Sequence, residues 1–310
     1  MTDAVSIASR MLGSRAQHQV DIGALTTYRV GGRAALFVRV EHDEDLRALA
    51  DAARASSVPV LVIGRGSNLL VAEAGFEGVA VVLGERYAAV EIEGTVVRAG
   101  AMASLPVVAR RSVAASLTGF EWAVGVPGSV GGAVRMNAGG HGSDMAACLV
   151  RIRRFDLETG EDTQVGAEHL DLAFRHSNVG PNQLVLEAEL QLADAERTTA
   201  EATLAEVVRW RRENQPGGAN AGSVFVNPPD DSAGRLVDLA GCKGLRHSSA
   251  EVSDKHANFI QADDGGSADD IFELMAEVQR RVHERTGILL RPETRLIGFG
   301  PSSLDIERYR

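Results

Sequence analysis

Residues 125–142 have the sequence GVPGSVGGAVRMNAGGHG. Seven of these eighteen residues are glycine. A segment with so many glycines usually lies with its backbone close against a ligand. Valines, an alanine and methionine lie between the glycines and disfavour the alternative, a flexible surface loop. The stretch therefore predicts the wall of a site for a flat aromatic ligand with a polar rim.

A second glycine-rich loop follows a predicted strand. The run VPVLVIG at 58–64 is β-branched and apolar and ends in glycine, which predicts a buried strand. The glycines of the next residues, GRGSNL at 64–69, let backbone N–H groups turn toward an anion. The third glycine of a dinucleotide fingerprint is missing, and no Walker Gly-Lys-Ser/Thr follows. On this motif alone, a phosphate cradle and an ordinary glycine turn both stay open.

The segments around the two loops predict a protein of mixed α and β structure. Apolar residues at helical spacing and acids in the first turn predict a helix at 43–57, and VAVVLG at 79–84 predicts another buried strand. A serine followed by Leu-Pro predicts a helix from Ser104 to about Leu117. Residues 149–165 have the alternation of a hairpin around a turn at 158–160.

The clearest predicted helix lies near the C-terminus. Ser267 caps it, acids follow at its positive end, and Gly287 stops it. Its apolar stripe predicts core packing rather than a ligand site, and it consists of Ile271, Leu274, Met275, Val278 and Val282. Residues 288–299 are expected to return as extended chain.

Composition excludes several classes of function. The 310 residues carry 32 basic and 42 acidic side chains, a net charge of −10, which disfavours nucleic acid as a partner. The two cysteines, Cys148 and Cys242, lack metal-ligand spacing, so no zinc site or disulfide framework is expected. We expect a cytoplasmic protein, because the N-terminus lacks a signal-peptide core and no apolar run approaches the ~20 residues of a membrane span.

Three short motifs carry groups that could do chemistry. Ser223 follows Gly222 and could donate a proton, although a turn or capping serine is the simpler interpretation. Arg175 presents a planar cationic fork for a carboxylate, and Glu293 follows a proline-fixed turn. For the last two, a structural salt bridge stays the alternative.

Taken together, the order and spacing of these motifs resemble the UDP-N-acetylenolpyruvoylglucosamine reductases. The resemblance begins at Leu25-Thr26-Thr27-Tyr28-Arg29-Val30-Gly31-Gly32 and ends near Phe299. Its most specific parts are 66–70, 127–142, 222–228 and 252–260. The chain resembles the shorter type of this family, because it has no room after the hairpin for an extra substrate-covering loop.

The resemblance implies an α+β protein with a vanillyl-alcohol-oxidase/PCMH-type FAD-binding fold of two lobes and a C-terminal α+β substrate-binding domain. Residues 1–84 and 85–210 are the implied lobes, with 291–303 returning to the second. Residues 211–290 are the implied UDP-sugar domain. FAD is expected to be held non-covalently, with NADPH as reductant. The implied FAD contacts are Tyr28, Gly64, Arg65, Gly66, Ser67, Asn68, Leu69, Gly125, Pro127, Gly128, Ser129, Gly132 and Ala133.

The resemblance also implies catalytic roles. Arg175 and a protonated Glu293 fall where the family polarises the substrate carboxylate, and Ser223 falls at its proton donor. The implied reaction reduces the enolpyruvyl ether of UDP-N-acetylglucosamine enolpyruvate, and no obligate protein partner is evident.

Substrate contacts are implied at Asn227, Arg211, His141 and Lys243. His141 stands where a tyrosine often contacts substrate, and Asn214 replaces a frequent lysine, for which Arg211 or Lys243 could substitute. Phe174 stands where tyrosine is common, beside Arg175. Two other interpretations stay open: a different FAD-dependent oxidoreductase of the same fold, and a non-catalytic flavin or nucleotide sensor.

Overall fold

A computed structural model of the protein describes residues 2–300. The helices of this part are α1 (Asp3–Leu12), α2 (Asp43–Ser56), α3 (Leu105–Ala114), α4 (Val130–Met136), α5 (Arg197–Asn214), α6 (Ala233–Leu239) and α7 (Ala268–Thr286). The strands are β1 (Ala16–Asp21), β2 (Arg33–Val40), β3 (Val60–Val62), β4 (Leu69–Val71), β5 (Phe76–Leu83), β6 (Val90–Glu93), β7 (Val96–Gly100), β8 (Leu117–Thr118), β9 (Gly139–Gly140), β10 (Ser143–Asp144), β11 (Leu149–Asp156), β12 (Asp162–Gly166), β13 (Gln183–Gln191), β14 (Ala193–Asp194), β15 (Arg246–His247), β16 (Ala250–Val252), β17 (Ile260–Ala262) and β18 (Arg295–Ile297).

These strands form two larger sheets and several small ones. A four-stranded sheet has the order β1-β2-β5-β3, and its strands β3 and β5 run parallel. A five-stranded sheet has the order β12-β11-β13-β7-β6, with every neighbouring pair antiparallel. A three-stranded sheet, β15-β16-β17, and the pairs β10-β9, β14-β8 and β18-β4 complete the set.

The described chain divides into two compact units, each built from separated stretches. Unit 1 comprises residues 2–18, 36–65 and 77–211, and unit 2 comprises 19–35, 66–76 and 212–300. In unit 1, α1 packs on α2, and α4 packs on β13. In unit 2, α7 packs on α6 and on the three-stranded sheet.

Most of the predicted elements form where the sequence places them. The predicted helix at 43–57 is α2, and the hairpin at 149–165 is the antiparallel pair β11 and β12. Ser267 caps α7 by accepting from the Asp269 N–H at 3.1 Å, and Gly287 ends it with a left-handed φ of 74°. All five side chains of the predicted stripe on α7 are buried.

One prediction of extent needs correction. Helix α3 ends at Ala114 rather than near Leu117, because Ser116 adopts a left-handed φ of 61° and Leu117 begins β8. Strand β18, within the segment 291–303, pairs in parallel with β4. The implied return of that segment to residues 85–210 stays a prediction. Residues 301–303 lie outside the described part. The assignment of two cofactor lobes and a substrate domain stays a prediction.

No helix in the described part is long and apolar enough to cross a membrane. Both cysteines are buried thiols outside any disulfide. Burial raises the pKa of Cys148 to about 12, so this thiol stays protonated and unreactive at neutral pH.

The buried stripe of α7 should dominate the stability of unit 2. Leu274 is fully buried, so Leu274→Ala should lower the free energy of unfolding by about 2–5 kcal/mol. The same change at Leu239 on α6, which is 49% exposed, should cost about 0.5 kcal/mol or less. Urea denaturation of both variants measures the difference. Equal losses would contradict the packing of α7 described above.

Candidate functional site

The glycine loop of unit 1 leads into α4. A short 3₁₀ turn ends at Gly125, and Ser129 caps the helix by accepting from the Gly132 N–H at 3.4 Å. Gly64, at the end of the β3 segment, packs on this cap, because a Cβ there would lie 2.4 Å from Ser129 Oγ. The structure thus brings Gly64 into contact with Ser129, one of the predicted cofactor residues of the second loop. The other predicted cofactor residues of that loop are Gly125, Pro127, Gly128, Gly132 and Ala133.

Arg211, on α5, lies beside the same loop. A Cβ on Gly125 would be 3.4 Å from Arg211 Cδ, so the arginine stem packs against the glycine backbone. Burial lowers the pKa of Arg211, and a guanidinium keeps its charge even so. His141, also in unit 1, makes an edge-on contact with the Trp210 ring at 4.9 Å between centroids. Helix α5 therefore carries one predicted substrate contact of unit 1 and packs against the other.

Arg175 occupies the tip of a tight hairpin in unit 1. Ala173 and His176 pair with each other through both backbone hydrogen bonds, at 3.1 and 3.0 Å. Arg175 adopts a left-handed φ of 56°, an uncommon conformation for a residue with a side chain. Its guanidinium lies 5.0 Å from the centre of the exposed Phe174 ring, and it donates to the Gly139 carbonyl at 3.4 Å.

The segment Gly66-Ser67-Asn68-Leu69 belongs to unit 2, and its last residue begins β4. Gly66 presses on the Leu25 carbonyl, where a Cβ would lie 2.3 Å from the oxygen, and its φ of 61° also favours glycine. Thr27 donates its N–H to the Gly66 carbonyl at 3.1 Å. The buried Thr27 hydroxyl has no hydrogen-bond partner in the described protein. A donor left over beside this loop fits a ligand that offers phosphate oxygens.

Unit 2 also brings Ser223 and Glu293 together. The Glu293 N–H donates to the carbonyl of Val224, the residue after Ser223, at 2.8 Å. Further along, the Val226 N–H donates to the Arg291 carbonyl at 2.9 Å. Each of the two predicted catalytic side chains is half-buried. The predicted proton donor and the predicted acid thus lie on two adjacent, directly paired segments.

The same cluster includes the predicted cofactor loop. Asn68 donates its side-chain N–H to the Glu293 carbonyl at 3.1 Å, and the Arg295 N–H donates to the Asn68 carbonyl at 3.0 Å. Tyr28 is buried in the hydrophobic core of unit 2 together with Val224 and Phe225. Burial raises the pKa of Tyr28, so the phenol keeps its proton.

The other predicted substrate contacts of unit 2 are Asn227 and Lys243. Asn227 Oδ1 accepts from the Ala233 N–H at 2.9 Å, at the beginning of α6, which gives this side chain a structural role. Lys243 is exposed, and its charge acts on His256. Partial burial, with Lys243 as a further cause, lowers the pKa of His256.

Comparisons with known proteins decide the family. A family model described as the C-terminal domain of UDP-N-acetylenolpyruvoylglucosamine reductase matches residues 214–297, and an FAD binding domain model matches 34–165. The reductase of Desulforamulus reducens is 40% identical over 278 residues, 88% of this chain and 90% of that protein. The chain belongs to the UDP-N-acetylenolpyruvoylglucosamine reductase family. The family member from Heliobacterium modesticaldum is 38% identical over 90% of each chain.

Solved structures agree on the fold. The UDP-N-acetylenolpyruvylglucosamine reductase of Thermus caldophilus superposes with a TM-score of 0.80 and 35% identity, over 91% of this chain and 99% of that one. Phl p 4.0202, a glucose dehydrogenase, matches at 14% identity with a TM-score of 0.50, over 72% and 52% of the two chains. The predicted α+β PCMH-type FAD-binding fold is therefore confirmed, and so is FAD as the cofactor of this reductase family.

Sequence reasoning gave no role to Asn258, although it lies in a motif that marks the reductase family. Asn258 is 2% exposed, its Nδ2 donates to the Phe225 carbonyl at 2.8 Å, and its Oδ1 accepts from the Phe225 N–H at 3.0 Å. Its carbonyl accepts from the Val224 N–H at 2.9 Å. One residue thus fixes the backbone that follows Ser223. An amide directly before the apolar pair Phe259-Ile260 was the available signal, because a buried amide needs partners.

Asn258→Asp tests this clamp. The change keeps the acceptor for the Phe225 N–H but removes the donor to the Phe225 carbonyl, so the free energy of unfolding should fall by about 1–3 kcal/mol. Asn220→Asp is the matched control, because the Asn220 amide also donates to backbone carbonyls, those of Gly217 and Gly218, but near solvent. Chemical denaturation should show a clearly smaller loss for the control, and an equal loss would argue against the clamp.

Proposed function

We propose that this protein reduces the enolpyruvyl ether of UDP-N-acetylglucosamine enolpyruvate to UDP-N-acetylmuramate, a step of peptidoglycan precursor synthesis, with NADPH as reductant. The family membership supports the reaction class. The observation that carries the assignment is the backbone pairing that sets Ser223 beside Glu293 in unit 2, with Asn68 of the cofactor loop bonded to Glu293.

The residues of this chain fit a bound FAD. Gly64 packs on Ser129 with no room for a Cβ, and the unpartnered Thr27 hydroxyl lies beside Gly66. Bound there, FAD would supply the hydride transfer from NADPH to the vinyl β-carbon of the substrate. In our proposal Gly66, Ser67 and Thr27 offer donors to its diphosphate, and the backbone of the 125–133 loop lines its ring system.

The side chains of the protein stabilise the charge that develops on the substrate and supply the proton. Addition of hydride to the β-carbon leaves an electron pair on the α-carbon, delocalised into the carboxylate. Arg175 and the carboxylic acid of Glu293 stabilise that charge where it develops. The Ser223 hydroxyl then gives its proton to the α-carbon, which is basic enough to take it from so weak an acid.

Substrate binding and location complete the proposal. Arg211, His141, Asn227 and Lys243 are the proposed contacts of the UDP-sugar. The two positively charged members, Arg211 and Lys243, suit a diphosphate. A cytoplasmic location goes with this activity, because the proposed substrate and reductant are both phosphorylated nucleotides and both thiols are free.

A spectroscopic assay tests the function. The purified protein should show the visible absorption of a flavin, and it should oxidise NADPH steadily only when UDP-N-acetylglucosamine enolpyruvate is present. Flavin that NADPH reduces but the enolpyruvate never reoxidises would support a sensor or another substrate. A protein that cannot be reconstituted with FAD would refute the cofactor assignment.

The role of Ser223 gives a sharper prediction. Ser223→Ala removes the proton donor, so turnover of the enolpyruvate should fall about 10²–10⁴-fold. Reduction of the flavin by NADPH alone should proceed at the wild-type rate, because that half-reaction needs no proton from Ser223. Stopped-flow absorbance separates the two half-reactions. Ser14→Ala, at an exposed serine in unit 1, is the control and should change neither rate.

A further inference from the structure

Asn137 is a buried polar residue of unit 1 to which neither the fold nor the proposed reaction assigns a role. It directly follows α4 and is 2% exposed. Its backbone is left-handed, with a φ of 38°, and its N–H donates to the Val134 carbonyl at 3.2 Å. Asparagine is one of the few residues other than glycine that tolerate this conformation. This backbone conformation explains why an asparagine is tolerated at position 137. The hydrogen bonds of its side chain indicate its role.

The Asn137 amide joins two separate segments. Its Oδ1 accepts from the Ala146 N–H at 2.9 Å. Its Nδ2 donates both to Asp144 Oδ2, at 3.1 Å, and to the Ala173 carbonyl, at 3.0 Å. Because an N–H faces Oδ1 and two oxygens face Nδ2, the orientation of the amide is defined. Both donor hydrogens of Nδ2 are therefore used inside the protein.

Ala173 is the base of the hairpin that carries Arg175. A second bond fixes the other side of this hairpin, since the buried Ser177 hydroxyl donates to the Arg135 carbonyl at 2.8 Å. The hairpin contains the left-handed Arg175, and backbone in such a conformation persists only when its surroundings hold it. The 135–146 segment supplies that support, and Asn137 makes its bond only two residues before the arginine.

We propose that Asn137 is a positioning residue for Arg175. Its bond to the Ala173 carbonyl holds the hairpin so that the guanidinium is oriented before the substrate carboxylate arrives. Asn137 acts only through Arg175 and contacts neither substrate nor cofactor in this proposal. The inference rests on the proposed function for its effect on turnover, whereas its effect on the hairpin itself can be measured without any substrate.

The double variant Asn137→Asp with Asp144→Asn isolates the bond to Ala173. The exchanged pair can still bond to each other, and the carboxylate introduced at position 137 can still accept from the Ala146 N–H. Only the donor to the Ala173 carbonyl is lost. We expect kcat with the enolpyruvate to fall about 100-fold with little change in KM, because a misplaced group costs mainly transition-state stabilisation. Flavin reduction by NADPH should be unchanged.

The pH dependence of this loss distinguishes positioning from general damage. Burial against a carbonyl oxygen raises the pKa of a carboxyl, and the introduced carboxyl, once protonated, can donate to the Ala173 carbonyl again. The ratio of variant to wild-type kcat should therefore recover as the pH falls. Besides the exchanged Asp144, the titratable or charged side chains on the joined segments are Arg135, His141, Arg175 and His176. The wild type shares all of them, so their titration cancels in the ratio.

Asn178 provides a matched control on the neighbouring stretch. Its Nδ2 also donates to a backbone carbonyl, that of His169 at 2.8 Å, and to a carboxylate, that of Asp171 at 3.3 Å. The double variant Asn178→Asp with Asp171→Asn should leave kcat and its pH profile unchanged. Asn137→Gly, which suits the left-handed backbone but removes the amide, should lower kcat without recovery at low pH. It also serves if the exchanged pair fails to fold.

Limited trypsin digestion measures how firmly the hairpin is held, directly in the substrate-free holoprotein. Trypsin cleaves after arginine, so a loosened hairpin should be cut after Arg175 about tenfold faster, as measured by mass spectrometry of the fragments. Faster cleavage together with lower kcat supports the proposal. Wild-type rates of both overturn it. If even the wild type fails to turn over the enolpyruvate, the proposed function fails, and the cleavage rate alone decides the positioning role.

Discussion

The parallel pairing of β4 with β18 is the constraint on which unit 2 depends. It joins residues near 70 to residues near 296 in direct register. Glycine makes a close approach to β4 possible, because a Cβ on Gly31 would lie 2.1 Å from the Val71 carbonyl oxygen. The loop before β4 and the segment before β18 therefore end side by side, which is why the Asn68 side chain reaches the Glu293 carbonyl. The geometry of the candidate site follows from the register of two short strands.

Asparagine side-chain amides fix loops that are not held by the hydrogen bonds of a β-sheet. Asn68 and Asn258 do so in unit 2, and Asn137 does so in unit 1. An amide can donate and accept at once, so it replaces a missing backbone partner without the cost of burying a charge. Loops with functional side chains lack the regular ladders of a sheet. These amides supply fixed bonds at positions where Ser223 and Arg175 need a defined backbone.

Local patterns predicted local structure well, and the non-local pairings were beyond them. The caps and the apolar stripe of α7 come from residues of one continuous segment, so the bounds of this helix could be predicted from the sequence. The end of α3 did not, because Leu117 pairs with a strand far along the chain. The site residues came from the family resemblance rather than from periodicity. No local pattern could show that the backbone of Glu293 pairs with that of Val224, or that Asn258 fixes the turn after Ser223.

The split origin of unit 2 has a consequence for how the chain is made. Its first two stretches, 19–35 and 66–76, leave the ribosome long before β18 has been translated. Until then the edge of β4 has no partner, and apolar residues such as Leu70 lack their final neighbours. Unit 1 has all of its residues once Arg211 has been added. Translation therefore offers the two units different times to fold, because unit 2 cannot complete its structure until β18 has been added.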